Sequence, residues 1–233
     1  ALGVVGSMSS GLMEYLADGS AVKQMHTGWA ALSGIRAARL AREGFKGPAS
    51  VFEGRFGAFK AFANVDITQR WREAGGEPWE VEHQSTKPYP ACHCVHAPVQ
   101  AILAWREEGL IHPDRIEEIA AVHCDVPKWY VNLIFEPAAP KAEPRTAYEA
   151  RFSAPWCMGR AFVDGELGVW SFGPGQLADP KVRAFAQRVT YAAEELPEFP
   201  ASFPARVTVT LLGGAKHVRY VAHNLGTPGN PMS

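Results

Sequence analysis

A glycine-rich break at residues 75–78, Gly-Gly-Glu-Pro, divides the sequence into two parts with different hydrophobic periodicities. Before the break, apolar residues recur at intervals of three and four, which is typical of helices that bury one face. After it, apolar and polar residues alternate in short stretches, which favours strands. Glycine and proline, as found in residues 75–78, interrupt helices and strands. We therefore expect an α+β protein with a helical first part, a mixed second part and a domain boundary near His83.

One long helix over residues 21–42 is predicted to dominate the first part. Its apolar stripe consists of Val22, Met25, Trp29, Leu32, Ile35, Ala38 and Leu40. Ser20 is the expected N-cap, and Gly44 and Pro48 are expected to follow the end of the helix. A shorter helix over 12–16 is expected to end at Asp18-Gly19.

The second part is predicted to contain three helices and several strands. The helices cover 97–108, closed by Gly109, then 152–163 and 180–187. A strand at 206–212 is joined to one at 216–221 by Gly213-Gly214, which suits a hairpin turn. The other strand candidates surround Trp79, Val81, Ile116, Ile119 and Val122. Residues 135–144, rich in proline and alanine, are expected to form a loop.

Composition excludes several classes of protein. The formal net charge is −1, so we expect no nucleic-acid partner and no attraction to an anionic membrane. No apolar run approaches the roughly 20 residues that span a bilayer, and the first residues lack the basic region of a signal peptide. Four cysteines, irregularly spaced, do not form a secreted disulfide framework, so reduced thiols and a cytoplasmic location are expected.

Lys23 and His26 share a face of the long predicted helix because they lie three residues apart. Thr27, Gly28 and Ala30 keep that face low enough for a small molecule to approach. Lysine is rarely buried without a partner, so a cation among apolar residues predicts an anionic ligand. In the structural alternative, Lys23 extends its ammonium into solvent and His26 only packs.

A second lysine, Lys87, lies in the stretch TKPYPACHCVHAP at 86–98. A residue before proline is pushed out of the helical region, so Lys87 is predicted on an extended loop. The following Cys92 to His96 contain thiol and imidazole groups, which bind zinc, but their spacing does not fit a zinc site. We therefore predict no metal site. A small metal-binding protein is kept as an alternative hypothesis. His96 is a candidate site residue, with helix capping as its alternative.

Arg55 is a secondary candidate. It lies in the sequence GRFG at 54–57, where glycines permit close backbone approach. Its guanidinium can bind a carboxylate with two parallel hydrogen bonds, and a structural salt bridge is the alternative. Neither a phosphate-binding glycine loop nor GxGxxG after a strand occurs, so no cofactor is predicted.

These stretches, with GFKGPASVFEGRFGAF at 44–59 and EARFSAPWCMGRAFVDG at 149–165, resemble the MmgE/PrpD family. The family includes 2-methylcitrate dehydratases, cis-aconitate decarboxylases and iminodisuccinate epimerases, which act on small di- or tricarboxylates. The resemblance extends over nearly the whole chain and corresponds to the later part of a full-length member. It implies that residues 1–83 end an all-helical domain, 84–222 form a smaller α+β lid, and 223–233 begin the return to the helical domain.

The resemblance also implies roles for individual residues. Family members carry functional lysines at the positions of Lys23 and Lys87, so the predicted catalytic residues are Lys23, His26 and Lys87. The predicted substrate-binding residues are Arg55, His96 and Cys92. Lysines suit this chemistry because they can clamp a flexible polycarboxylate and stabilise the enolate-like charge that develops as a base removes a proton.

The expected activity is that of a cofactor-independent lyase of the 2-methylcitrate dehydratase type. Some cis-aconitate decarboxylases have a functional histidine where this chain has Cys92, and this difference argues against decarboxylation. Decarboxylation and epimerisation are the alternatives within the family. A non-catalytic fragment or binding module is the alternative outside it. The resemblance implies a homodimer whose remaining acid/base residues lie in an N-terminal helical half, so the chain alone is expected to be inactive.

Overall fold

The computed structural model describes residues 1–63, 75 and 79–232. Two compact units, Ala1–Glu82 and His83–Ser233, make up the structure. The first unit is helical, and the second combines helices with a four-stranded sheet. The predicted α+β class is thus confirmed. No described helix is long and apolar enough to cross a membrane.

The first unit is built around the predicted long helix, which extends over Val22–Arg42. Its N-cap is Ala21, without a side-chain cap, so the prediction of Ser20 is wrong by one residue. Gly19, at φ +69°, ends the short helix Tyr15–Asp18 as expected. The unit also contains Leu2–Val5, a 3₁₀ turn at Gly6–Met8 and a π-helical turn at Phe59–Ala63.

Much apolar surface of the first unit is exposed. In the long helix, only Ser33 and Ala37 are buried, although the predicted stripe was expected to pack. Met25 and Ile35 are 61% and 55% exposed. The other large apolar side chains exposed in this unit are Leu2, Leu12, Met13, Leu16, Val22, Leu32, Leu40, Phe45, Phe56, Phe62, Trp79 and Val81. The described residues therefore do not cover the apolar face of this helix.

The second unit contains a mixed sheet with the strand order β2-β1-β3-β4. The strands are β1 (Ile119–Val126), β2 (Val189–Ala193), β3 (Ala205–Leu211) and β4 (Lys216–Val221). β1 lies parallel to β2 and antiparallel to β3, and β3 pairs with β4 in the predicted hairpin. Gly214 turns this hairpin at φ +83°.

The main helices of the second unit are His96–Glu107, Ala154–Asp164 and Pro180–Ala186. Each predicted counterpart is confirmed to within two residues. Short α-helical turns occur at Lys128–Tyr130, Ala138–Ala142 and Ala147–Ala150, and a π-helical turn at Val131–Phe135. Short 3₁₀ helices occur at Glu80–His83, His93–Val95, Pro113–Glu118 and Val169–Phe172.

Four further local predictions are wrong. Val81 and Ile116 lie in 3₁₀ helices rather than strands; Trp79 is not in a strand either. The segment predicted as a loop over 135–144 contains the helix Ala138–Ala142. Proline is tolerated in the first turn of a helix, where the missing N–H has no partner in any case, so Pro140 does not prevent this short turn.

Helices and sheet of the second unit enclose one continuous apolar core. Its largest fully buried side chains include Trp105, Trp156, Phe135, Phe162 and Phe185. Gly159 lets two helices approach closely, since an added Cβ would lie 2.7 Å from the carbonyl oxygen of Val182. This core supports the loop that carries Lys87.

Candidate functional site

Two backbone hydrogen bonds join the Lys87 loop, defined here as residues 86–96, to other parts of the second unit. The backbone N–H of Thr86 donates to the carbonyl of Gly226 at 2.7 Å, and that of Cys92 donates to the carbonyl of Arg151 at 2.8 Å. The last residues of the loop form the 3₁₀ turn His93–Val95, and a helix starts at His96. A loop fixed in this way holds its side chains in defined positions.

Lys87 has hydrogen-bonding capacity to spare. Its ammonium donates to the carbonyl of Ala91 at 3.1 Å, while a lysine ammonium has three N–H groups. Among the residues that the structure describes, no carboxylate forms an ion pair with Lys87. Its charge is therefore not neutralised by the described part of the chain, as an anion-binding group requires.

Two histidines and three aromatic rings pack beside this lysine. The His93 ring stacks on Phe203, with centroids 4.5 Å apart, and lies 4.9 Å from the His96 ring. His96 in turn meets the Tyr89 ring at 5.1 Å, and Tyr130 lies 6.1 Å from Phe203. These rings form an apolar wall beside the charged and polar groups.

Both histidines are held neutral. Burial lowers the pKa of His93, and the nearby charge of Lys87 lowers it further. Burial, then the proximity of His93 and Lys87, lowers the pKa of His96 to about 3, although the carbonyls of Ala91 and Tyr89 act in the opposite direction. Neither ring nitrogen of His96 has a partner of hydrogen-bonding geometry in the described structure. A fully buried, neutral His96 cannot attract an anion by charge.

The thiols of this region are mostly inert. Cys94, Cys124 and Cys157 are buried, and contact with Cys92 together with burial raises the pKa of Cys94. Burial likewise raises the pKa of Cys124 and of Cys157. The described residues contain no group of three or more His, Cys, Asp or Glu side chains that could hold a metal ion.

Asn224 lies on the polar side of the loop, a position that no sequence pattern predicts. Its side chain is fully buried, and its amide nitrogen lies 3.0 Å from Nε2 of His93 and 3.3 Å from the carbonyl oxygen of Leu225. The Leu225 N–H donates to Oε1 of Gln100 at 2.9 Å. Asn224 is 131 residues from His93 in sequence, so no local pattern connects the two.

In the first unit, Lys23 and His26 both lie next to Tyr15. The Lys23 ammonium is 5.9 Å from the Tyr15 ring centroid, and the His26 ring meets Tyr15 edge-on at 5.8 Å. Lys23 is exposed and His26 is half-buried. An open groove of about 620 Å³ runs along this face, lined by Ser10, Gly11, Leu12, Glu14, Tyr15, Ser20, Val22, Met25, His26 and Trp29.

Arg55 is exposed, and its guanidinium lies 5.0 Å from the centroid of the neighbouring Phe56 ring. Its predicted role, like those of Lys23 and His26, stays a prediction. In the second unit, the predicted Lys87, Cys92 and His96 share one loop. Tyr89 and His93 lie in the same loop, and Asn224 contacts it from the segment after β4.

Two family models match the chain, one in the first unit and one in the second. Residues 89–233 match the MmgE/PrpD C-terminal domain, and residues 1–70 match the MmgE/PrpD N-terminal domain. The chain belongs to the MmgE/PrpD family. The cis-aconitate decarboxylase of Homo sapiens is similar to this MmgE/PrpD chain, with 30% identity over 204 residues. This similarity covers 83% of the chain but only 40% of the human protein.

The geometry therefore gives this MmgE/PrpD protein a cation, a neutral imidazole and an amide at one place in its second unit. An ammonium and N–H donors bind carboxylates strongly, because charge-assisted hydrogen bonds are about twice as strong as neutral ones. The same groups can stabilise negative charge that develops on a carboxylate during proton abstraction.

Proposed function

We propose that the chain forms part of an MmgE/PrpD lyase that acts on a small di- or tricarboxylate, with dehydration of a 2-methylcitrate-like substrate as the first choice of reaction. One observation carries the proposal: the Lys87 ammonium retains N–H groups, no described carboxylate pairs with it, and the neutral His93 lies nearby. A site with these groups favours an anion over a neutral ligand.

Each group has a role in such a dehydration. Lys87 binds a carboxylate of the substrate and stabilises the enolate-like charge that builds up next to it when a base removes the proton from carbon. The hydroxyl then leaves with a proton from an acid, and a carbon–carbon double bond remains. Lys23 and His26 are proposed to take part, and further acid/base groups are expected outside this chain.

Decarboxylation is the second candidate. The named relative from Homo sapiens is a cis-aconitate decarboxylase, which supports this reaction. Against it stands the thiol of Cys92, at the position where some decarboxylases have a functional histidine. The two reactions differ in what the substrate loses, water or carbon dioxide, so product analysis of the full-length enzyme distinguishes them. Epimerisation stays an alternative within the family.

We further propose that the chain needs additional helical structure for turnover. The exposed apolar side chains of the first unit support this proposal, since a soluble protein rarely exposes so large an apolar surface without a partner. The chain also spans only 40% of the length of its human relative. We also propose that the complete protein forms a homodimer, because the family resemblance implies one.

Substitution of Lys87 tests the carboxylate site directly. We expect Lys87→Gln to bind tricarballylate, an unreactive tricarboxylate, about 10- to 100-fold more weakly, because a hydrogen bond to a charged group contributes about 1.5–3 kcal/mol. Isothermal titration calorimetry measures the dissociation constant. Lys216→Gln, which removes an exposed lysine at the start of β4, is the matched control and should bind as the unsubstituted chain does. Equal affinities of the two variants would contradict the proposal and favour a chain without a carboxylate site.

A further inference from the structure

The contact between Asn224 and His93 determines which nitrogen of His93 carries a proton. One atom of the Asn224 amide lies within hydrogen-bonding distance of two groups, Nε2 of His93 at 3.0 Å and the carbonyl oxygen of Leu225 at 3.3 Å. A carbonyl oxygen can only accept a hydrogen bond. The atom between them must therefore be the amide nitrogen, which has two N–H groups to donate.

The reversed orientation of the amide is unfavourable. It would place the Asn224 oxygen 3.3 Å from the Leu225 oxygen, so that two acceptors would face each other in a buried position. The observed orientation leaves the Asn224 Oδ1 atom without a partner among the described residues, which costs some stability. It nevertheless makes two hydrogen bonds, whereas the reversed one makes at most one at this atom.

A consequence for His93 follows from the direction of the bond. Because the Asn224 amide donates to Nε2, that nitrogen presents its lone pair to Asn224, and the single proton of the neutral ring must be on Nδ1. No described residue forms a hydrogen bond with His93 Nδ1. His93 is only half-buried, so this N–H is available to a ligand.

We propose that Asn224 is a positioning residue that fixes His93 as the Nδ1–H tautomer, so that His93 and Lys87 together donate hydrogen bonds to one substrate carboxylate. The identity of the ligand rests on the proposed function, whereas the tautomer does not. His93 cannot serve as the general base in this arrangement, because its only lone pair is directed at Asn224. The base must be another group.

The tautomer can be measured in the unsubstituted chain. With ¹⁵N-labelled histidine, two-bond and three-bond correlations from the ring hydrogens distinguish a protonated nitrogen from one with a lone pair. His93→Gln identifies the His93 signals by their loss. We expect a protonated Nδ1 and an unprotonated Nε2 at pH 7.5. A protonated Nε2 would overturn the inference, whatever the chain binds.

Asn224→Asp tests the positioning role. The carboxylate has nearly the same shape but can only accept, so Nε2 of His93 must donate to it, and in the neutral ring Nδ1 is then a lone pair that repels a substrate carboxylate. Because the added negative charge raises the pKa of His93, the tautomer and the affinity are both measured at a pH high enough to keep the ring neutral. We expect a reversed His93 tautomer and about tenfold weaker tricarballylate binding. Asn230→Asp is the matched control, because Asn230 donates to the carbonyl of His223 in the same segment; it should change neither quantity.

The two measurements fail independently. If the unsubstituted chain shows the Nδ1–H tautomer but does not bind tricarballylate, the positioning of His93 is supported and the carboxylate ligand is overturned together with the proposed function. If it binds tricarballylate while His93 is protonated at Nε2, the proposed function is supported and the role of Asn224 is overturned. Should Asn224→Asp not fold, the tautomer of the unsubstituted chain still decides the inference.

Discussion

At the scale of single residues, His96 shows how burial changes the role of a histidine. The sequence marks it as a candidate for substrate binding, since it follows Lys87 in a stretch rich in reactive side chains. The structure buries it completely between the rings of His93 and Tyr89. Burial depends on distant parts of the chain, so local sequence indicates the importance of the stretch but not which histidine faces a ligand.

The buried His96 is expected to make the protein sensitive to acid. Its pKa is lowered from 6.5 to about 3 in the folded state, so between these values the unfolded chain binds a proton that the folded chain does not. Its contribution to stability is complete above pH 6.5 and is lost as the pH falls toward 3. His93, with its own lowered pKa, adds to the effect.

Between pH 4.5 and 6.5, the unfolding free energy should increase with pH less steeply in His96→Gln than in the unsubstituted chain. The slope should fall by up to about 1.4 kcal/mol per pH unit, because one proton contributes this amount. Denaturant unfolding over this range measures it. The control is His112→Gln, since His112 is half exposed and lies in a turn. An unchanged slope in His96→Gln would show that His96 is charged or accessible in the folded protein.

At the scale of secondary-structure elements, those with strong local signals could be predicted. The long helix has an apolar repeat with glycines at both ends, and the β3–β4 hairpin combines alternation with a Gly-Gly turn. β2 and the segment after β4 have no such signal. The latter matters most, because Asn224 and Gly226 bind the Lys87 loop through long-range contacts. Its assignment as the start of a return segment, 223–233, stays a prediction.

A substitution at Gly226 is expected to disrupt the contact between the segment after β4 and the Lys87 loop. Its φ of +88° disfavours other residues, and an added Cβ would lie 2.0 Å from the carbonyl oxygen of Thr86. We expect Gly226→Ala to lose more than about 2 kcal/mol of stability and to weaken tricarballylate binding, because both backbone strain and overlap must be relieved. Thermal and denaturant unfolding, together with calorimetry, measure the two effects.

Gly109→Ala is the matched control for this change. Gly109 also has a positive φ, +72°, but no atom lies within 4 Å of an added Cβ. The control should lose only roughly 1–2 kcal/mol, the cost of the left-handed backbone conformation alone, and retain binding. If the two alanine variants lost equal stability and bound tricarballylate equally well, the close approach of Gly226 to Thr86 would not contribute to either quantity.

At the scale of the whole molecule, the two units differ in how completely they bury their apolar residues. The second unit has a continuous core around its sheet, whereas the described part of the first unit leaves most of its large apolar side chains exposed. The second unit should therefore hold its site in place, and the first unit should depend on further structure for its own groups.

We expect the chain alone to bind tricarballylate but not to turn over 2-methylcitrate, cis-aconitate or iminodisuccinate. Binding needs only Lys87 and its neighbours, while proton transfer from carbon needs acid/base groups that the proposal assigns outside the chain. Spectrophotometric and chromatographic assays with each substrate, beside a full-length family member as a positive control, measure turnover. Robust activity of the isolated chain would contradict the proposed incompleteness.

The order of the strands in the sheet affects when the sheet can form during synthesis. β1 lies between strands that come much later in the chain; its residue His123 bonds a β2 residue 67 positions further on. Contacts this distant in sequence form slowly, and during synthesis β1 must wait until both partners have left the ribosome. Asn224 emerges later still. The contacts of Asn224 with the Lys87 loop are thus completed last. Until β2 and β3 have emerged, the central strand has two unpaired edges, where misfolded chains associate.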